Sequence, residues 1–225
     1  VEVGVFGTAE PAGVASHLRA FVERVLGSAV VDGIFYGSSS GCVLGVVLAD
    51  SCQVVVKAYQ RRWGSDFLGA VQRIQQHLAA AGFPCPRPLV GPESAGPALA
   101  TVEQFVPDPG MSPLGSDAEM VLSAGGLARQ IHLCRGYSEP ILDAGHPLRA
   151  DPGRLYPQPH NPIFDLSLDT EGALWIDELA KAARAAWESD RSAPVVAHTD
   201  WSARNVRCHQ RNANGLCLTL RAARV

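Results

Sequence analysis

The sequence predicts an α+β chain with a β-rich first part containing one main helix and a mostly helical second part. Two patterns predict this. Three short runs of β-branched and apolar residues follow one another between positions 30 and 59, and beyond position 117 apolar residues recur at helical spacing. The Pro/Gly-rich stretch "PDPGMSPLGS" lies between, dividing the chain into 1–106 and 107–225.

Residues 16–27, "SHLRAFVERVLG", place Leu18, Phe21, Val22, Val25 and Leu26 at helical spacing, with Ser16 as N-cap and Gly27 as stop. The runs "VVDGIFYG", "CVLGVVLA" and "QVVVKAY" are joined by "GSSSG" and "DSC", which predicts an antiparallel meander. Residues 66–82 form the next helix, closed by Gly82 and the breaker cluster "FPCPRP". The short run "ALATVEQFV" leads into the boundary. Beyond it, 117–134 reads as a helix and 141–172 as Pro-rich loop. Residues 174–189 read as an amphipathic helix with Ile176, Leu179, Ala183 and Trp187 on one face.

Composition narrows the function. The chain has 225 residues, 47% hydrophobic, and a net charge of −3, so it can bury a core but carries no basic footprint for nucleic acid. Apolar runs fall short of a membrane span, so no membrane partner is expected. The six Cys are scattered without a C-x-x-C pair, which predicts reduced thiols and a cytoplasmic location. Only two residues, Lys57 and Lys181, are lysines.

The most specific signal is "VVAHTDWSARNV", an apolar run read as a strand that ends in His198-x-Asp200-x4-Asn205. A carboxylate orients a hydroxyl and accepts its proton, and an amide oxygen five residues later ligates a divalent cation. From this chain's own composition, the pattern is expected by chance about 0.007 times. The simpler alternative is an N-cap aspartate beside a packed histidine. Lys57 closes "QVVVK"; strand alternation puts it on the face of Val55, which favours a cation aimed inward over an edge lysine. "GSSSGC" is either a plain hairpin loop or, through Ser39, Ser40 and its glycines, a cover for phosphates. A metal-dependent hydrolase built on His198, Asp200 and His209 is a further reading, without a convincing third ligand. Asp165, Asp169 and Asp177 read as solvated surface, with contact to a cationic acceptor as the alternative.

Together, the meander, the strand lysine, "GFPCPRPL", "EQFVP", "GLARQIHLC" and "VVAHTDWSARNV" resemble the aminoglycoside phosphotransferase and choline kinase family over residues 30–207. The resemblance implies a protein-kinase-like, two-lobed fold, with an N-terminal nucleotide-binding lobe and hinge at 1–106 and an incomplete C-lobe at 107–225. It implies ATP (or GTP) and Mg2+ as cofactors and a small-molecule hydroxyl as substrate, and it leaves the oligomeric state open. Asp200 becomes the catalytic base, Asn205 the metal ligand and His198 a brace for the catalytic loop. Lys57 meets the α and β phosphates, and the backbone from Glu103 through Phe105 to Val106 meets the adenine. For His132 a packing role is expected.

Two departures stand out. The family places a helix glutamate against the strand lysine, but residues 67–82 hold no acid; Asp66 is the substitute, with Gln72 and Gln76 as polar alternatives. The family also has a second metal-binding aspartate after a hairpin, and residues 206–225 contain no Asp or Glu. The expectation is a truncated, impaired kinase. The alternative is a catalytically dead nucleotide-binding module or vestigial fragment.

Overall fold

Alternating apolar residues build the first layer of the molecule. The computed structural model describes residues 1–107, 116–144, 154–156, 159, 165–167, 171–198, 200–201, 205–211 and 215–220. Two helices come first, α1 (Glu2–Phe6) and α2 (Pro11–Leu26), then β1 (Val30–Ser38), β2 (Gly41–Leu48), β3 (Gln53–Tyr59) and α3 (Ser65–Ala80). After these come β4 (Pro88–Ala95), β5 (Ala98–Gln104), α4 (Asp117–Leu133), α5 (Ser138–Asp143), α6 (Leu174–Ser189), β6 (Val206–Arg211) and β7 (Gly215–Leu220).

The first five strands form one antiparallel sheet in the order β1-β2-β3-β5-β4. Period-2 alternation gives it two distinct faces. Val54, Val56 and Ala58 of β3 join Cys42 and Val46 of β2 and Ala100 and Val102 of β5 on one face, where Leu18, Phe21 and Val22 of α2 cover them. Lys57 and Tyr59 of β3 and Thr101 and Glu103 of β5 line a cleft on the other side with Leu68, Gln72 and Gln75 of α3. Helix α3 also buries Ile74 and Leu78 against Cys134, Val206 and Trp201, tying the sheet to the second part of the chain. Among the described residues no helix is long and apolar enough to cross a membrane.

Several expectations change. Helix α2 begins at Pro11, leaving Ser16 inside it, because proline is pre-set for the first helical position and the added turn buries Val14. Strand β4 was not expected, since its segment carries Pro88 and Pro92. It lies at the sheet edge, where a missing N–H costs no ladder bond. Gly91 there has φ +106°, and a Cβ would lie 2.7 Å from the Ala100 carbonyl oxygen. Helix α4 opens with a capping box in which the Glu119 amide donates to Ser116 Oγ (3.3 Å) and the Ser116 amide to Glu119 Oε2 (2.9 Å). Helix α6 forms as expected but buries none of its residues: Leu179, Ala183 and Trp187 are exposed. Residues 108–115 of the boundary, most of the Pro-rich 141–172 region with Asp169, and 221–225 lie outside the described residues.

Candidate active site

The two halves of the site are built by different means. On the sheet side, Lys57 and Glu103 are diagonal neighbours on adjacent strands, since Lys57 pairs with Thr101 and Val55 with Glu103. Long side chains reach across that diagonal. Lys57 Nζ lies 2.9 Å from Glu103 Oε1, both side chains being largely buried. Gln75 of α3 donates its Nε2 hydrogens to Glu103 Oε2 (3.0 Å) and the Pro86 carbonyl (2.8 Å). Burial works against the Lys57 ammonium, yet the Glu103 carboxylate, helped by Tyr59, outweighs it and holds the lysine pKa above its ordinary value.

This arrangement corrects the partner expected for Lys57. Asp66 is exposed in the first turn of α3, and Gln76 is exposed as well. Helix α3 contributes Gln75, and the acid comes from β5. Glu103 accordingly lies within the sheet rather than in a free hinge. The amides of Gln104 and Phe105 donate to the carbonyls of Arg87 (2.8 Å) and Gln53 (3.4 Å), so those two N–H groups of the expected hinge are already engaged. The Phe105 ring lies 6.4 Å from that of Phe35. Ser39 and Ser40 form the two-residue connection between β1 and β2, with the Ser39 amide donating to Gly41 O.

On the other side, residues 193–198 form an irregular segment, not the expected strand. The reason is local: the His198 amide donates to Gln130 Oε1 (3.3 Å), a side chain of α4, rather than to a neighbouring strand. Trp201 Nε1 donates to Ser123 Oγ (2.8 Å), also on α4. Ser123 and Gln130 are both buried and two helical turns apart, so one face of α4 holds the loop at two points. Sequence reasoning missed both; two polar residues seven apart in an otherwise apolar stripe were the available signal. Asn205, almost fully buried, donates Nδ2 to the Asp200 backbone oxygen (3.0 Å) and to Asp200 Oδ2 (2.7 Å). The Asp200 residue itself is exposed.

His198 packs edge-on against Trp201 at 6.2 Å, and its buried Nδ1 has no hydrogen-bond partner among the described residues. Burial and then the Lys57 charge lower its pKa against the pull of Asp200, which favours the neutral ring. His132 is exposed, not packed. His77 fills the structural role instead, with Nε2 2.9 Å from the Leu133 carbonyl and its ring 4.8 Å from Tyr137. Asp165 accepts from the Ser167 amide (3.0 Å), and Asp177 accepts from Tyr156 OH (2.6 Å), so each has a local partner.

A divalent cation is a reasonable fit to this geometry. The Asn205 nitrogen faces Asp200, which turns the amide oxygen away from that carboxylate, and a carboxamide oxygen left in this way suits a hard cation that arrives with phosphate oxygens. Among the described residues no three His, Cys, Asp or Glu side chains cluster as a metal cage, and the His209 side chain of the hydrolase reading lies outside them. Residues 46–217 match the family described as phosphotransferase enzyme family, which covers β3, α3, β5, the 198–205 loop and β6. No curated protein matches the chain.

Proposed function

Because the chain belongs to the phosphotransferase enzyme family, we propose that it transfers the γ-phosphoryl group of ATP or GTP to a hydroxyl of a small molecule, in a cleft between its 1–106 and 107–225 parts. The observation that carries this reading is the Asp200–Asn205 contact of 2.7 Å. It fixes one carboxylate oxygen and leaves the exposed aspartate free to meet a hydroxyl. Asp200 orients that hydroxyl and takes its proton as the oxygen attacks phosphorus and the bond to the β-phosphate oxygen breaks. Lys57 meets the phosphates and His198 braces the loop. Asn205 would hold Mg2+, which when bound neutralises charge on the phosphates.

The test is ADP release with ATP, Mg2+ and a panel of aminoglycosides, choline and sugars. Asp200→Asn should lower turnover by about 10²–10⁴-fold, while affinity for a fluorescent ATP analogue is kept. Equal turnover in the variant removes Asp200 from the role. A second reading is nucleotide binding without transfer. ATP binding without ADP release under every acceptor would favour it.

A further inference from the structure

The lysine needs a carboxylate to hold it, and α3 offers none that reaches it. The sheet supplies one instead. Glu103 is only 3% exposed, its Oε1 lies on the Lys57 ammonium, and its Oε2 takes the Gln75 amide. Gln75 is itself fixed at its second hydrogen by the Pro86 carbonyl. Every position in that chain of contacts is set by backbone, since β3 and β5 are paired strands and Pro86 lies two residues before the start of β4.

We propose that Glu103 is the positioning residue that aims the Lys57 ammonium at the nucleotide's phosphates, and that Gln75 fixes the carboxylate that does so. The proposal rests on the reading of Lys57 as a phosphate-binding residue. In this chain the charge that pairs with the lysine has moved from the helix into the sheet, and the helix keeps a neutral hydrogen-bond donor. Exchanging the two side chains, Gln75→Glu with Glu103→Gln, should therefore rebuild the pair with the charge on the helix.

Lysine chemistry gives a direct readout, because Lys57 and Lys181 are the only two lysines and Lys181 is exposed on α6. The full chain is treated with an amine-acylating reagent at one mildly alkaline pH, and the rate at each lysine is read by mass spectrometry. Losing an adjacent opposite charge lowers a buried lysine's pKa, so Glu103→Gln should raise the Lys57 rate relative to Lys181 about tenfold or more. The exchange variant should return most of that rise, which a packing role for Glu103 would not. ATP should protect Lys57 in the unmodified chain and in the exchange variant, with about tenfold more ATP required in Glu103→Gln.

An unchanged Lys57-to-Lys181 ratio in Glu103→Gln overturns the proposal, as does an exchange variant no better than the single one. Should Glu103→Gln not fold, Gln75→Leu carries the test: it frees the carboxylate and should raise the Lys57 rate, and no rise removes Gln75 from the device. If the ratio moves as expected but ATP protects Lys57 in no variant, the pair stands while the phosphate-binding reading, and with it the aim of the lysine, fails.

Discussion

The sheet half and the loop half of the site hold their charged groups differently. Lys57 is enclosed, and its counter-charge is positioned by strand register. Asp200 is exposed, with one oxygen held by Asn205, and its loop hangs from α4 by Trp201 and the His198 amide. The cation is fixed before any ligand arrives, because its partner is part of the same sheet. The carboxylate keeps an open side. The lesson is that register between paired strands encloses a charge, whereas a charge held only through side-chain contacts stays open to solvent.

The sharpest way to break this contrast is on the sheet side. Lys57→Ala leaves the Glu103 carboxylate buried without its partner, and it should cost about 3–5 kcal/mol in urea unfolding. A loss under about 1 kcal/mol would mean that water reaches the pair freely and that the sheet half is no more enclosed than the loop. Ser123→Ala acts on the other half. It leaves the Trp201 indole N–H unsatisfied at a cost of about 1–3 kcal/mol, and turnover should fall while the KM for ATP holds. A shift confined to KM would mean that the halves are not separable.

Acid sharpens the comparison further. The pKa of His198 is lowered by burial first and by Lys57 second. A histidine held neutral in the fold contributes stability that is present above its unfolded value, near 6.5, and is lost as pH falls through the lowered one. Stability should therefore decline on acidification below about 6.5, and His198→Gln should flatten that decline in unfolding experiments run at several pH values. Leu179→Ser, on the exposed side of α6, sets the baseline, with an expected change within about 0.5 kcal/mol.

The loop motif was legible because His198, Asp200 and Asn205 sit within eight residues of chain, where spacing alone brings Asp200 and Asn205 together. The inward aim of Lys57 was legible from alternation with Val55. Its partner was not, because a diagonal contact between β3 and β5 has no local sequence period, and Asp66 was simply the nearest acid along the chain. Strand β4 was hidden by its prolines, which only an edge position excuses. The amphipathic pattern of α6 gave the helix correctly but not its burial, since a pattern shows which face is apolar and not what covers it. His132 and His77 exchanged roles for the same reason: neither the exposure of one nor the contact of the other with Tyr137 is a property of the sequence around it.

The placement of the tryptophans has an optical consequence. Trp63 lies 6.0 Å from the Tyr59 ring and 5.6 Å from Phe67, beside the sheet half, and Trp201 is anchored in the loop half, whereas Trp175 and Trp187 are exposed on α6. Iodide quenches exposed indoles first. Once the α6 pair is darkened, the residual emission comes from Trp63 beside the sheet and Trp201 in the loop segment, so the native chain carries its own two-point fluorescent report on those two regions.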